Sequence, residues 1–196
     1  MKQLLITGFD PFGGELINPS WEAVRRLPEQ VGCWELTALQ IPTVFGRAAQ
    51  SVLEAAKGKT FDAILCVGQA GGRSAVTPEV VAINRQDARI PDNKGNQPVD
   101  VPVIENGPAA YFATVPVRKM EQAVLAAGYP AALSYSAGAF VCNDVLYTLL
   151  HHYEGSRTKV GFVHVPFLPE QAVEQQPSLP LEDIVAALTA AIAAME

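Results

Sequence analysis

The sequence predicts an α/β protein with one domain over residues 1–196, in which a mostly parallel, twisted sheet is flanked by helices as three α/β/α layers. Two observations predict this class. Short apolar runs alternate along the chain with amphipathic stretches of helical length, a pattern typical of a parallel sheet covered on both faces. The run FDAILCVG at 61–68 is largely apolar and ends in glycine, as a strand in the middle of such a sheet does.

Five strands are predicted, each from a short apolar or partly alternating run. They are Leu4–Ile6, Glu35–Ile41, 61–68, 131–135 and 159–165. Ligands of such folds bind beyond the carboxyl ends of the strands. We therefore expect the functional residues to lie just after strands.

The helices are predicted from their boundary residues. Asn18 is a typical N-cap and Pro19 a typical first helical residue, so a helix begins there. Gly58 and Gly128 are natural residues just past the ends of two further helices. The other predicted helices are Thr43–Lys57, 117–127, about 142–153 and 181–195.

Residues 84–116 interrupt this alternation. The segment is rich in Pro, Gly, Asn and Asp, so we expect irregular loops with short strands or a hairpin arm. An irregular region of this length inside a compact domain is usually functional or disordered.

Composition excludes several classes of function. The net charge is −6 with only 14 unclustered basic residues, which makes nucleic acid an improbable partner. No apolar run is long enough to cross a membrane or to form the core of a secretory signal, so we expect a cytoplasmic protein. No Cys or His pair has zinc-ligand spacing, and neither a metal nor a cofactor is predicted.

The loop TGFDPFGGE at 7–15 has the glycine spacing of the first half of a Walker phosphate loop. Gly14 and Glu15, however, stand where such a loop needs a lysine and a hydroxyl residue, and a carboxylate there would repel a phosphate. Phe9 and Phe12 also lie inside the loop, where a phosphate needs main-chain NH groups. The sequence therefore argues against nucleotide binding.

Of three widely spaced cysteines, which suit a reducing compartment, only Cys142 is a candidate nucleophile. Cys66 lies within a predicted strand, and Cys33 begins one beside no reactive residue. The stretch SYSAGAFVCN places Cys142 at the start of a helix that follows a strand. There the helix dipole and free NH groups are expected to lower the thiol pKa from about 8.5 toward neutrality and to bind an oxyanion.

Three histidines are candidate partners for this thiol. His151 and His152 lie at the far end of the same helix, roughly 13–15 Å away, and are excluded. His164 lies at the carboxyl end of the next strand, and both strand ends of a right-handed β-α-β unit open on one edge of the sheet. Spacing alone leaves four acidic partners for His164 open: Asp10, Glu79, Asp87 and Asp92.

Four stretches together resemble the pyroglutamyl peptidase I family of cysteine peptidases along essentially the whole chain. They are TGFDPFGGELINPSWEAV, GQAGGRSAVTPEVVAINRQDARIPDNKGNQP, SYSAGAFVCN and GFVHVPFLPEQ. The resemblance implies a Cys-His-Glu triad at Cys142, His164 and Glu79. It implies hydrolysis, through an acyl-enzyme, of the amide bond after an N-terminal pyroglutamyl residue of peptides. Arg89 and the main-chain NH of Cys142 are then expected at the scissile carbonyl oxygen.

The same resemblance implies how the substrate is held. Aromatic walls for the five-membered lactam fall on Phe9, Phe12 and Phe140, and a further substrate contact falls on Gln69. Asn18 is expected to fix the first loop, through helix capping or a loop hydrogen bond. A flat, neutral lactam suits such a slot, because its faces need apolar contact and its NH and carbonyl need few partners.

One residue departs from the family signature, which usually has Arg or Lys directly after the glutamate. This chain has Val80 there, and adjacent side chains of an extended segment point to opposite faces, so Val80 need not touch the triad. The family commonly forms homotetramers, and 84–116 is expected to supply an interface or a lid.

Two other functions remain open from the residues themselves. One is a related Cys-His hydrolase or amidotransferase that acts on a free amide side chain. The other is a small-ligand binding module with a spoiled triad. Selective alkylation of Cys142 near neutral pH would favour an enzyme over the binding module.

Overall fold

The computed structural model describes all residues from 1 to 196 and contains eight strands and five helices. The strands are β1 (Lys2–Phe9), β2 (Gln30–Val31), β3 (Trp34–Ile41), β4 (Ala63–Gln69), β5 (Thr77–Pro78), β6 (Val81–Ile83), β7 (Ala110–Phe112) and β8 (Lys159–Val165). The helices are α1 (Pro19–Val24), α2 (Arg47–Ala56), α3 (Val117–Ala126), α4 (Val141–His152) and α5 (Leu181–Ala193).

Six strands form one mixed sheet in the order β2-β3-β1-β4-β8-β5. The four central strands are parallel, and the two-residue edge strands β2 and β5 pair antiparallel with their neighbours. In the pairing of β4 with β8, Gly68 lies opposite His164. The carboxyl ends of the parallel strands therefore meet at one edge, as the alternation of strands and helices predicts.

Helices cover both faces of this sheet and confirm the predicted three layers. On one face α1, α3 and α5 pack together, and on the other face α2 packs against α4. Side chains of β1 alternate between the two resulting cores, because Leu4 and Ile6 join the first and Leu5 joins the second. None of the five helices has both the length and the hydropathy that crossing a membrane requires.

Helix α1 begins as predicted and is packed unusually close to the sheet. Asn18 is its N-cap and accepts a hydrogen bond from the Ser20 amide at 3.1 Å. A Cβ atom added at Gly8 would lie 2.6 Å from the main chain of Trp21. Glycine at position 8 therefore allows the first loop and the first helix to approach each other closely.

Two predicted elements differ from the structure. Residues 131–135 do not form a strand, because only isolated bridges join Ala131 to Val76 and Ser134 to Glu79 at the edge of the sheet. Helix α2 begins at Arg47 rather than at Thr43, because Gly46 has a positive φ of 68°. The irregular segment 84–116 contains β7, which pairs antiparallel with β6.

Candidate active site

His164 and Glu79 meet at the carboxyl edge of the sheet. His164 is the sixth residue of β8 and is almost fully buried, while Glu79 directly follows β5, which pairs with β8. His164 Nδ1 lies 2.7 Å from Glu79 Oε1. A carboxylate accepts this bond from an N–H, which fixes the tautomer and leaves Nε2 free to exchange a proton.

Cys142 reaches the same point from α4. Gly68 and His164 are register partners in a parallel pair, so a side chain at position 68 would project on the same face as His164. A Cβ atom built at Gly68 would lie 2.9 Å from Cys142 Sγ, which places the thiol on that face. No hydrogen bond joins Cys142 to His164, and such bonds are often long in enzymes without substrate.

The start of α4 carries free main-chain donors. Phe140 is the N-cap, and the first amide in the helix with a main-chain acceptor is that of Asp144, bound to Phe140 O at 3.1 Å. The amides of the preceding residues, including Cys142, are therefore available to an oxyanion, as the sequence predicts.

Arg73 is a site residue that the sequence reasoning missed. Its Nη1 lies 2.8 Å from Glu79 Oε1 and 2.5 Å from Thr77 Oγ1, and its Nη2 donates to Ser136 O at 3.0 Å. It stands alone in a glycine-rich loop, six residues before Glu79. Only its closeness in sequence to Glu79, within a stretch that carries the family resemblance, could have indicated Arg73.

Burial decides the ionisation of the thiol and contradicts the expectation from the helix terminus. Burial raises the pKa of Cys142, and the negative charge of Glu79 raises it further, while Arg73 lowers it. Although part of the residue reaches the surface, the loss of hydration outweighs the free NH groups of α4. The sequence-based expectation of a lowered pKa is therefore wrong for the free protein.

The pKa values of His164 and Glu79 are lowered, in contrast to that of Cys142. Burial lowers the pKa of His164, and the charge of Arg73 lowers it too, against the hydrogen bond and charge of Glu79. Burial alone would raise the pKa of Glu79, but the hydrogen bond and charge of His164 and the hydrogen bond from Arg73 hold it below its usual value. At neutral pH the site thus combines a thiol, a neutral imidazole and a carboxylate.

A cavity of about 410 Å³ opens beside the start of α4. Its lining includes Phe12, Phe140, Gln69 and Arg89, four of the residues expected to act on a substrate. The rings of Phe12 and Phe140 have centroids 6.0 Å apart, and Phe45 packs edge-on against Phe140 at 5.3 Å. The cavity therefore combines aromatic walls with an amide and a guanidinium.

Phe9 and Asn18 lie behind this cavity rather than in its wall. Phe9 is 2% exposed and packs in the core against Phe162, with ring centroids 6.3 Å apart. The end of β1 directs this ring into the core, so Phe9 is not exposed to the cavity, and its role as a wall of the slot stays a prediction. Asn18 Nδ2 donates to Asp10 O at 3.0 Å, so Asn18 fixes the first loop both as a cap and through a loop bond.

The remaining candidates lie elsewhere or have other partners. Cys66 is a core thiol, and burial raises its pKa to about 12. His151 bonds to the Tyr111 hydroxyl at the far end of α4. Asp10 and Asp92 accept hydrogen bonds from the main chain of the 43–45 loop. Of the four acidic candidates, Glu79 alone contacts His164.

Val80 takes part in the site only through its main chain. Its N–H donates to Ser134 O at 2.8 Å, and its carbonyl accepts from the Ala113 amide at 2.9 Å. Because Glu79 next to it points at His164, the half-buried side chain of Val80 points to the opposite face.

Comparisons with known proteins identify the family. A sequence model described as pyroglutamyl peptidase matches residues 2–196. The pyrrolidone-carboxylate peptidase of Levilactobacillus brevis is 53% identical, over 98% of this chain and 97% of that protein. That of Staphylococcus carnosus is 51% identical, over 98% of this chain and 92% of that protein.

Solved structures agree with this result. The crystal structure of pyroglutamyl peptidase I from Bacillus amyloliquefaciens has a TM-score of 0.94 at 46% identity, covering 100% of this chain and 97% of that one. Pyrrolidone carboxyl peptidase from Thermococcus litoralis has a TM-score of 0.94 at 36% identity, covering 100% of this chain and 93% of that one. The chain therefore belongs to the pyroglutamyl peptidase family of cysteine peptidases.

Proposed function

We propose that Cys142, His164 and Glu79 carry out the family's reaction, hydrolysis of the amide bond after an N-terminal pyroglutamyl residue of a peptide. The observation that carries the proposal is the bond of 2.7 Å between His164 and Glu79 at the point of the sheet edge where Gly68 admits Cys142 Sγ. A nucleophile, a base and a group that orients the base together form the arrangement that acyl transfer needs.

In the first step Cys142 Sγ attacks the pyroglutamyl carbonyl carbon. Because the free thiol is protonated and His164 is neutral, the thiol proton passes to His164 Nε2 as the carbon–sulfur bond forms. Glu79 stabilises the resulting imidazolium. The proton therefore moves during the attack rather than before the substrate binds.

The oxyanion is held by donors at the start of α4. The main-chain NH of Cys142 is one of these donors, and Arg89, which lines the cavity, is expected to reach the same oxygen. Loss of one such donor typically lowers the rate by about 10²–10³.

His164 then completes both halves of the reaction. It gives its proton to the departing amine, which leaves the pyroglutamyl group on Sγ as a thioester. It next removes a proton from water as the water attacks that thioester, and the thiol leaves with the proton. The reaction returns pyroglutamate, the shortened peptide and the free enzyme.

Specificity follows from the lining of the cavity. Phe12 and Phe140 accept the faces of the lactam, and Gln69 pairs with its polar edge. A free glutamyl N-terminus would bring two charges against aromatic walls, so it is refused.

The quaternary structure and the cellular location belong to this proposal as well. We expect a homotetramer in which the β6–β7 ribbon contributes to an interface, because Phe112 is 72% exposed and Ile83 is 40% exposed. A thiol nucleophile stays reduced most readily in a reducing compartment, which favours the cytoplasm.

The reaction is tested by release of a fluorescent amine from a pyroglutamyl amide, beside the prolyl and glutamyl analogues. Only the pyroglutamyl compound should be turned over. Cys142→Ser and Glu79→Gln should each lower kcat by about 10³–10⁴, because they remove the nucleophile or the group that fixes the base. Cys33→Ser and Glu105→Gln are matched controls at positions outside the site. Full turnover by Cys142→Ser would contradict the proposed nucleophile.

The protonation state of the free thiol is tested by alkylation with iodoacetamide, followed at Cys142 by mass spectrometry. Because the pKa of Cys142 is raised, selective labelling near neutral pH is no longer expected of the free enzyme. The labelling rate should instead increase about tenfold per pH unit, with no plateau below about pH 8. Glutathione, alkylated in parallel, corrects for any effect of pH on the reagent itself. A plateau that begins near pH 6 would instead indicate a resting thiolate–imidazolium pair.

The departure at position 80 is tested by Val80→Arg, which restores the residue type that the family signature usually has. Because this side chain points away from His164, we expect kcat/KM to change by no more than about twofold. Val99→Arg adds the same charge at an exposed position of the neighbouring segment and serves as control. A gain of about tenfold or more would mean that Val80 detunes Glu79.

The assembly is tested by sedimentation velocity. The wild type should sediment with a mass four times that of the 20.9 kDa chain. Phe112→Lys should dissociate it, because a charge replaces an aromatic ring in an apolar contact, whereas Val173→Lys, at another exposed apolar position, should not. A wild-type monomer would contradict this part of the proposal.

A further inference from the structure

We propose that Arg73 is a positioning residue for the reaction, which keeps Glu79 an ionised hydrogen-bond acceptor and His164 a neutral base. This inference rests on the proposed roles of Cys142, His164 and Glu79. Nothing in the reaction itself requires a cation at this point, so the role follows from the groups that Arg73 contacts.

The contacts of Glu79 show why a cation matters there. Its side chain is fully buried, and Oε1 lies 2.7 Å from His164 Nδ1 and 2.8 Å from Arg73 Nη1. A buried carboxylate is costly unless an opposite charge and hydrogen bonds compensate it. If Arg73 were absent, the remaining partner able to supply positive charge would be His164 itself, as an imidazolium.

An imidazolium at rest would block the first step. His164 must accept the thiol proton, and a histidine that already carries two protons cannot do so. With Arg73 present, the charges of Glu79 and Arg73 balance, and His164 need not be protonated to stabilise the carboxylate. Arg73 thus neutralises Glu79, which leaves His164 free to accept the thiol proton.

The same guanidinium also connects the acid to the segment that leads to the nucleophile. Nη2 donates to Ser136 O at 3.0 Å, and Ser136 lies six residues before Cys142, in the turn that precedes α4. A planar guanidinium can bind a carboxylate and a carbonyl at once in a fixed geometry, which the single ammonium of lysine does less well. Arg73 is 29% exposed, so its far side reaches water.

The groups around this pair are few. Arg73, from the loop after β4, is the one charged side chain that acts on both Glu79 and His164. The Cys142 thiol on α4 is in turn influenced by Glu79 and Arg73, and by Cys66 on β4. Burial lowers the pKa of His164 most, and Arg73 is the cation that lowers it further. Removal of Arg73 should therefore raise the pKa of His164, and it should raise that of Glu79 too.

The test compares Arg73→Met and Arg73→Lys with the wild type through two readouts. The first is the NMR titration of the His164 ring, one of only three histidines, assigned by its absence in His164→Gln. The second is the pH dependence of kcat/KM for a pyroglutamyl amide. In Arg73→Met both the His164 titration and the acidic limb should move to higher pH by about one unit or more. Arg73→Lys should move them less, because it keeps the charge.

Arg25→Met is the matched control, because Arg25 makes a surface ion pair with Glu22 on α1. Unchanged titration of His164 in Arg73→Met would overturn the proposal, even if kcat fell, because a merely structural role predicts a lower rate without a shift. If Arg73→Met does not fold, Arg73→Gln removes the charge while it keeps hydrogen-bonding groups, and the same shift is expected. Full turnover by Cys142→Ser would refute the triad instead, and the titration would still report on Arg73 alone.

Discussion

The pairing of β4 with β8 is the constraint on which the rest of the site depends. It sets Gly68 opposite His164, and the absence of a side chain at Gly68 leaves the space into which the Cys142 sulfur fits. Phe162 fills the adjoining space, with its ring centroid 4.7 Å from that of His164. A shift of one residue in this register would turn His164 to the other face of the sheet and separate it from α4.

Carboxylates away from the reaction hold the cavity walls in position. Asp10 Oδ1 accepts bonds from the Thr43 amide at 2.6 Å and from Asn93 Nδ2 at 3.1 Å. Asp92 does the same for the Phe45 amide, at 3.0 Å. Three loops far apart in sequence are thereby tied together behind the aromatic rings. These buried and partly buried acids have structural roles, which explains why chain position could not separate them from Glu79.

The parts of the structure that the sequence predicts well are those that depend on local chemistry. Strand 159–165 has the predicted bounds, and Asn18 caps α1 as its residue type favours. The acidic partner of His164 could not be predicted in this way, because Glu79 lies on an extended segment between two very short strands and no periodicity marks it. Only the family resemblance indicated it. The thiol pKa was predicted in the wrong direction because a helix terminus is visible in sequence, whereas burial depends on the whole fold.

Arg73 and Phe9 are two further residues whose surroundings the sequence could not predict. A lone arginine in a glycine-rich loop gives no sign of its partner, since the ion pair forms only when the loop folds over β5. An aromatic residue in a substrate loop was expected at the surface of the cavity, yet Phe9 is the last residue of β1 and belongs to the core. In both cases the role follows from tertiary contacts that no local pattern encodes.

The two short edge strands have a consequence for how copies of the chain can meet. β2 and β5 each contribute two residues at opposite ends of the sheet, and both run antiparallel to their neighbours. Such edges offer few free main-chain groups, so a second chain finds little to extend by strand addition. Any association between copies of the chain would then use side-chain surfaces, and the long parallel strands at the centre are protected from the edge-to-edge pairing that leads to aggregation.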